Sequence, residues 1–214
     1  MAGKIFFIAD THFGHEAMIR FENRPFKDTA DMEAKLIQNW NETVDPEDSV
    51  FMLGDFAFGD KDTVTRLCHA LNGKKTLVLG NHDNHSPEWY RECGFDEASA
   101  WPIIIEGFWI LSHEPLYINE NMAYANIYGH VHGNPTYKDY CRQSICVCVE
   151  RNDYRPVDFE VIKAKVLGNS SVFFSVSDPT ESFFGGSVFF WALEGMDLLL
   201  STSSRATIKG CCFR

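Results

Sequence analysis

The chain has 214 residues, which gives room for one domain with a good core, with or without an appendage. Hydrophobic residues make up 45% and charged residues 23% of the sequence, a balance that describes an ordinary soluble globular protein. The net charge of −11 and the lack of a basic stripe disfavour nonspecific binding to nucleic acid. The sequence contains no uncharged apolar run of about 18 residues, so no membrane span is predicted.

The cysteines indicate a reducing environment. Seven are present, an odd number, and none forms a C-x-x-C pair. The N-terminal apolar run, residues 5–9, is too short for the core of a signal peptide. We therefore expect a cytoplasmic protein with free thiols, in which the cysteines act as small buried hydrophobic residues.

The first strand is predicted at residues 4–9, a continuous apolar run typical of a strand buried on both faces. It leads directly into Asp10-Thr11-His12. In extended backbone Asp10 and His12 point to the same side of the chain. A carboxylate beside an imidazole forms half of a metal site, although a turn aspartate and a surface histidine would give the same pattern.

Helices and strands then alternate. Two amphipathic helices and two buried strands are predicted at residues 30–44, 49–53, 64–71 and 76–79. The first of these strands leads to Gly54-Asp55 and the second to Gly80-Asn81-His82-Asp83. The alternation indicates an α/β fold with parallel pairing, and the strand ends again carry polar side chains.

The second half of the chain is mostly β. The sequence predicts a hairpin at 102–111, strands at 124–128 and 144–150, and a helix at 158–166. His113 follows the hairpin, and His130 and His132 follow the strand at 124–128. Two packed sheets with helices outside would satisfy this order of elements.

Residues 168–214 differ from the rest of the chain and contain seven of its eighteen phenylalanines. We find no motif in this segment. It is either an added hairpin that docks on the domain or on a partner, or a non-native tail. We therefore expect a catalytic domain at 1–167 and a C-terminal extension at 168–214, whose role the sequence leaves open.

The motifs D-x-H, G-D, G-N-H-D, H and G-H-x-H, in this order, resemble the calcineurin-like metallophosphoesterase superfamily over residues 4–165. Asp-Thr-His-Phe-Gly-His at 10–15 and Asn-Arg-Pro-Phe at 23–26 are similar to the small bacterial and phage phosphoesterases of that superfamily. The resemblance implies a four-layer αββα sandwich of two mixed sheets with flanking helices. It also implies two divalent metal ions, with manganese favoured over iron, nickel or zinc.

The resemblance assigns a ligand set to each ion. The first ion would be held by Asp10, His12, Asp55 and His132. The second would be held by Asp55, Asn81, His113 and His130, so that Asp55 bridges the pair. A shared carboxylate of this kind holds two cations about 3.5–4 Å apart.

The activity implied is hydrolysis of a phosphomonoester or phosphodiester by in-line attack of a metal-bridging hydroxide. His82, which the pattern leaves off the metals, is the candidate general acid, and Asp83 would orient its ring. His15 and Arg24 are candidates for binding the substrate phosphate, with a solvated loop position as the equal alternative for each.

Two other functions stay open at this point. A nuclease of the same superfamily is disfavoured by the acidic charge and by the lack of an obvious DNA-capping domain. A non-catalytic metal-binding scaffold is disfavoured because no ligand position is substituted. We therefore expect a compact phosphate ester as the partner, nucleic acid less so and no membrane, and we make no prediction of oligomeric state.

Overall fold

The computed structural model describes residues 3–139 and 141–168, all within one unit that runs from Met1 to Ser171. The predicted C-terminal extension, apart from its first residue, lies outside the described residues. Among the residues that are described, no helix is long and apolar enough to cross a membrane.

All the strands and helices that the sequence predicts are present and in the predicted order, with short additional elements between them. The strands are β1 (Ile5–Ile8), β2 (Ser49–Met52), β3 (Lys74–Val78), β4 (Glu97–Ser99), β5 (Ile103–Ile105), β6 (Trp109–Ser112), β7 (Ala125–Tyr128), β8 (Ser144–Cys146) and β9 (Val157–Asp158). The helices are α1 (Glu16–Phe21), α2 (Thr29–Thr43), α3 (Lys61–Ala70), α4 (Pro87–Glu92) and α5 (Phe159–Leu167). A short 3-10 helix, Val149–Arg151, follows β8.

The strands form two mixed sheets. The first has the order β4-β3-β2-β1-β9, in which β1 to β4 are parallel and β9 is antiparallel to β1. The second has the order β5-β6-β7-β8, in which β5 and β6 form an antiparallel hairpin and β6, β7 and β8 are parallel. Three residues, 106–108, connect β5 to β6, and Glu106 and Gly107 both have positive φ, as tight hairpin turns commonly require.

The longer helices begin at aspartate caps. The side chain of Asp28 accepts a hydrogen bond from the N–H of Asp31 at the start of α2, and Asp60 and Asp158 cap α3 and α5 in the same way. The four-residue spacing predicted for α2 buries one face, which includes Trp40. This face packs on the first sheet and forms one core.

A second core lies between the two sheets and includes α5. Phe7 of β1 stacks on Phe51 at 5.4 Å between ring centroids and meets Phe159 of α5 edge-on at 5.2 Å. Phe159 also packs against Trp109 of β6 at 5.2 Å. The aromatic contacts therefore join β1, β6 and α5. Successive side chains of β1 alternate between the two cores, so Phe6 and Ile8 face the first core while Phe7 faces this one.

Main-chain hydrogen bonds also join the two sheets beyond β1. The N–H of Ala9 donates to the carbonyl of Val147 at 3.0 Å, and the N–H of Val149 donates to the carbonyl of Ala9 at 3.2 Å. Val147 in turn donates to Tyr128 at the end of β7. The carboxyl ends of strands from both sheets are therefore brought side by side.

The α/β class with two mixed sheets and flanking helices is confirmed. The strand predicted at 144–150 is too long, because only residues up to Cys146 are strand and the chain then enters the 3-10 helix. A continuous apolar run indicates burial but not where the extended backbone ends. Four short elements were not predicted, namely α1, α4, β4 and β9.

Candidate metal centre

The residues predicted as ligands lie where strands of both sheets end. The positions are Asp10 and His12 after β1, Asp55 after β2, Asn81 after β3, His113 after β6, and His130 and His132 after β7. β1, β2 and β3 are parallel, and so are β6 and β7. Parallel strands present their carboxyl ends at one edge of a sheet, which is where α/β proteins place their sites.

Five of these residues have a left-handed backbone. The φ angles are 61° at Asp10, 49° at His12, 58° at Asp55, 70° at His130 and 49° at His132. Non-glycine residues rarely adopt positive φ, although aspartate and histidine tolerate it better than most. A cost of about 1 kcal/mol or more at each position is typical of functional sites, where the surrounding structure imposes the conformation.

One group of donor atoms surrounds the side-chain oxygen of Asn81. Asn81 Oδ1 lies 2.9 Å from His113 Nε2 and 2.9 Å from His130 Nδ1, and these two nitrogens are 3.1 Å apart. Asp55 Oδ2 lies 3.6 Å from His113 Nε2. Two imidazole nitrogens, an amide oxygen and a carboxylate oxygen therefore converge.

A second group of donor atoms lies around Asp10. Its Oδ1 is 3.6 Å from His132 Nε2, and Asp10, His12 and His132 each offer one ligand atom within 4.8 Å of the others. Asp55 Oδ2 is 3.3 Å from His12 Nε2 and thus adjoins this group as well as the one around Asn81. The carboxylate of Asp55 lies between the two groups, as the resemblance implied for a bridging ligand.

Two buried atoms of this second group, Asp10 Oδ1 and His12 Nε2, have no hydrogen-bond partner among the described residues. A buried polar atom left unpaired costs about 1–3 kcal/mol, so native proteins rarely retain one without a reason. A divalent cation would satisfy both atoms, and a mixed set of nitrogen and oxygen donors suits manganese, iron, nickel or zinc. The residues present therefore fit a two-metal centre.

Burial and mutual proximity change the pKa values of the acidic and basic groups. Burial raises the pKa of Asp10 to about 6, and burial lowers the pKa of His12 to about 4. Burial alone would raise the pKa of Asp55, but the adjacent imidazole rings of His12 and His113 together lower it to about 2. His12 and Asp55 are thus in the deprotonated forms that bind a cation at neutral pH.

The tautomer of His113 is fixed by the main chain. Its Nδ1 lies 2.9 Å from the carbonyl oxygen of Leu53, and a carbonyl oxygen only accepts. Nδ1 therefore carries the proton, and Nε2 presents its lone pair to Asn81 and His130. A main-chain partner of this kind is usual for a metal-binding histidine.

His82 lies at the exposed mouth of the cluster. The main-chain N–H of His82 donates to Asp55 Oδ1 at 2.9 Å. The centroid of the His82 ring is 5.3 Å from that of His12 and 5.5 Å from that of Phe58. The ring borders a small recess of about 120 Å³ that His85 and Trp89 also line. His82 is thus beside the candidate ligands, as the predicted general acid would have to be.

Asp83 makes contacts other than those predicted. Its Oδ2 accepts from the N–H groups of Gly80 and Asp55, both at 2.8 Å, and its Oδ1 accepts from the N–H of Phe56 at 3.2 Å. The carboxylate is buried and no hydrogen bond between it and the His82 ring is present. In this structure Asp83 holds the Gly80 and Asp55 loops together, so the predicted orientation of the His82 ring by Asp83 is not supported.

The two predicted substrate-binding residues are placed differently. His15 is half-buried at the mouth, with its Nδ1 3.4 Å from His12 Nδ1 and its ring 4.1 Å from that of Phe58. The side chain of Arg24 is 0% exposed and donates to the carbonyl oxygens of Asp10 and Thr11. His15 therefore lies at the mouth of the cluster, whereas the guanidinium of Arg24 lies in the interior behind the candidate ligands, where a substrate would not reach it.

Glu150 was not among the predicted site residues. Its Oε1 lies 3.1 Å from His132 Nδ1, and it also accepts hydrogen bonds from Arg24. In the sequence it stands at the end of an apolar run with no recognisable spacing to any ligand. Only the approach of β8 to the end of β1 brings it to the site.

Comparisons with known proteins agree with this geometry. The sequence model of the calcineurin-like phosphoesterases matches residues 3–143, about two thirds of the chain. The chain belongs to the calcineurin-like phosphoesterase family. The resemblance that the motifs indicated is thereby confirmed.

Relatives of this family member match different shares of its length. An uncharacterised protein of Methanocaldococcus jannaschii is 30% identical over 181 residues, which cover 82% of this chain and 97% of that protein. The gene 66 protein of Mycobacterium phage D29 is 36% identical over 103 residues, 47% of this chain and half of the phage protein.

Solved structures are also similar to this phosphoesterase. A protein of unknown function from Aquifex aeolicus is 33% identical with a TM-score of 0.60, over 75% of this chain and 98% of that chain. A nuclease from Pseudomonas putida aligns with a TM-score of 0.42 at 23% identity, over 60% of this chain and 61% of that one.

Proposed function

We propose that the protein is a dinuclear-metal-dependent phosphoesterase that hydrolyses a phosphomonoester or phosphodiester. The single observation that supports this most is the pair of donor groups that share Asp55, together with the unpartnered buried atoms of Asp10 and His12. Paired divalent sites with a shared carboxylate are typical of enzymes that displace groups at phosphorus. Family membership supports the same class of substrate.

The proposal assigns each residue to an ion. One ion takes Asp10, His12, Asp55 and His132. The other takes Asp55, Asn81, His113 and His130. We favour manganese, with iron, nickel and zinc as the other candidates, because the donors mix imidazole nitrogen with carboxylate and amide oxygen.

The ions, when bound, supply Lewis acidity toward the phosphate and lower the pKa of the water that attacks phosphorus. Asn81 contributes an uncharged oxygen, so this ligand adds no repulsion against an anionic substrate. His82 at the mouth holds a proton on its ring and donates it to the leaving oxygen. His15, close to both His12 and His82, contacts the phosphate from the solvent side.

We also propose that the enzyme works in the cytoplasm on a small phosphate ester. The five cysteines among the described residues are free thiols, which suits a reducing compartment. Nucleic acid is less favoured as a substrate because of the net charge of −11.

The test begins with protein stripped of metal by a chelator and reloaded separately with manganese, iron, nickel or zinc. Metal content is measured by plasma emission, and turnover is measured on p-nitrophenyl phosphate, its bis ester and a short oligonucleotide. We expect two ions per chain and hydrolysis of at least one of the p-nitrophenyl esters, with both lost in Asp55→Asn. Two bound ions without turnover of any substrate would favour a scaffold, and turnover of the oligonucleotide alone would favour a nuclease.

A further inference from the structure

Glu150 and Arg24 lie directly behind the candidate ligands, on the side away from the mouth. Glu150 belongs to the 3-10 helix after β8, and its side chain is 5% exposed. Arg24 lies in the loop between α1 and α2, 126 positions earlier in the chain, and its side chain is fully buried. Two opposite charges buried together at this distance in sequence require a specific reason, because burying each charge is costly.

One oxygen of Glu150 receives three donors. Oε1 lies 2.6 Å from Arg24 Nη2, 3.0 Å from Arg24 Nε and 3.1 Å from His132 Nδ1. A carboxylate that is held by a guanidinium is ionised and accepts hydrogen bonds only. His132 Nδ1 must therefore carry a proton in this contact, which leaves Nε2, 3.6 Å from Asp10 Oδ1, as the ring atom that is available to bind a cation.

The remaining donors of Arg24 hold the main chain at the first ligands. Nη1 donates to the carbonyl oxygen of Thr11 at 2.8 Å, and Nη2 donates to that of Asp10 at 2.7 Å. Asp10 and His12 both have positive φ, so this segment needs external support to keep its conformation. The same side chain thus fixes the backbone that carries two ligands and the carboxylate that orients a third.

From these contacts we propose that Glu150 and Arg24 position the ligands of the first metal ion. Glu150 sets the tautomer and direction of the His132 ring. Arg24 holds the carboxylate of Glu150 and the main chain at Asp10 and Thr11. The inference rests on the metal binding in the proposed function, and it does not depend on the substrate. Partners of this kind behind a ligand histidine typically change metal affinity by about 10–100-fold when they are removed.

Glu150→Gln tests the proposal, since it keeps the shape and a hydrogen-bond acceptor but removes the charge. The measurement is the affinity for Mn²⁺ at each of the two sites, by competition with a chelator, together with the visible absorption of the Co²⁺-loaded protein. We expect one ion to bind about 10–100-fold more weakly, the other to keep its affinity, and the Co²⁺ spectrum of the weakened site to change.

Two control variants separate positioning from general stability. Asp48→Asn removes a buried carboxylate that accepts hydrogen bonds from the N–H groups of Lys4 and Asp45, remote from the candidate ligands. Glu42→Gln breaks an exposed ion pair with Arg155, 2.8 Å apart. We expect Asp48→Asn to lower the melting temperature while both ions keep their affinity, and Glu42→Gln to change neither quantity.

Wild-type affinity for both ions in Glu150→Gln would overturn the proposal. If that variant is not recovered folded, the same measurement is made on Arg24→Lys, which keeps the charge but lacks the planar fork that reaches Glu150 and both carbonyl oxygens. Unchanged affinity there would overturn the proposal equally. Failure of the wild-type protein to hydrolyse any ester would instead contradict the proposed function. The proposal for Glu150 and Arg24 would still be decided by the measured metal affinities.

Discussion

At the scale of single residues, the candidate site depends on backbone conformations that most side chains avoid. Asp10, His12 and Asp55 all have φ between 49° and 61°. In this conformation the chain turns sharply after a strand, so that residues two apart can both face the same point. Aspartate and histidine adopt positive φ more readily than most residues, so the residue types that can bind a metal are also types that this backbone conformation tolerates.

The first prediction concerns His82. Its ring is exposed beside the candidate ligands, with its centroid 5.3 Å from that of the His12 ring. If His82 supplies the proton to the leaving group, His82→Ala lowers kcat by about 10²–10⁴-fold and leaves the metal content at the wild-type value. The measurement is turnover of a p-nitrophenyl ester alongside metal analysis of the same sample.

The matched control is His85→Ala, because His85 is also exposed and stacks on Trp89 at 3.9 Å, in the recess beside His82. We expect that variant to keep kcat within a few-fold of wild type. Metal loss in His82→Ala would show that His82 is a ligand, and full turnover would remove it from the mechanism.

The sequence could predict the candidate ligands, because each of them follows an apolar strand. The sequence could not predict the hydrogen bonds that the neighbouring side chains make. Asp83 lies beside His82 in sequence, yet its carboxylate bonds to the N–H of Asp55, 28 positions away. Arg24 bonds to Glu150, 126 positions away. Such contacts depend on which loops meet in space, and local spacing carries no information about that.

At the scale of elements, the carboxyl ends of β1 and β7 are in close contact. The N–H of His130 donates to Asp10 Oδ2 at 2.8 Å, and the residue before it is Gly129. A Cβ on Gly129 would lie 2.5 Å from the Cβ of Ala9 and 2.6 Å from Asp10 Oδ2. The glycine of the G-H-x-H motif is therefore required by this contact between the two sheets.

The second prediction is that Gly129→Ala weakens both the fold and the metal centre. The added methyl group forces β7 away from β1, which costs about 1–3 kcal/mol of unfolding free energy, and it moves His130 relative to Asp10. Thermal unfolding and metal analysis together measure the two effects. The control is Gly107→Ala in the hairpin turn, where a Cβ meets nothing within 4 Å and only the positive φ is unfavourable.

For Gly107→Ala we expect a loss of about 1 kcal/mol from the positive φ and an unchanged metal content. Normal metal content in Gly129→Ala would contradict the tight contact between β1 and β7.

The long elements were predictable and the short ones were not. The periodicity of α2 and the apolar runs of β1 to β3 are strong signals, because burial of one face or of both faces imposes them. The two residues of β9 leave no such signal; they become a strand only because β1 offers an unpaired edge. β8 ends early for a related reason: after Cys146 the chain bonds to Ala9 of the other sheet.

At the scale of the whole molecule, the site places ionisable groups in the interior, so stability without metal depends on pH. The pKa of Asp10 is about 6 in the folded protein against an ordinary 3.8, so between these values the folded state holds a proton that the unfolded chain lacks. Asp10 therefore makes the protein less stable as the pH rises from 4 to 6. His12, with a pKa of about 4 against 6.5, makes it more stable as the pH rises over a similar window.

The third prediction follows from these opposed contributions. In metal-free protein at pH 7, Asp10→Asn removes a buried charge and raises the unfolding free energy by on the order of 1–3 kcal/mol, or roughly 2–12 °C in melting temperature. Between pH 4 and 6.5 the stability of this variant rises with pH more steeply than that of wild type, since the opposing contribution of Asp10 is removed. Thermal unfolding at several pH values with a chelator present measures both effects.

Saturating Mn²⁺ should reverse the order, because wild type gains stability from bound ions and Asp10→Asn gains less. The control is Glu97→Gln, an exposed carboxylate at the start of β4, which we expect to leave the melting temperature unchanged. A metal-free Asp10→Asn that melts below wild type at pH 7 would contradict the buried charge on Asp10.

The hydrogen bonds between Ala9 and residues 147 and 149 also have a consequence for how the protein is made. β1 leaves the ribosome well before the segment that closes its carboxyl end, because residues 147–149 lie about 140 positions later in the chain. At the usual speed of translation the interval between the two is roughly 7–30 s. A nascent chain therefore exposes Asp10 and His12 before their neighbours exist, and the donor group that includes His132 can form only after that residue has been synthesised.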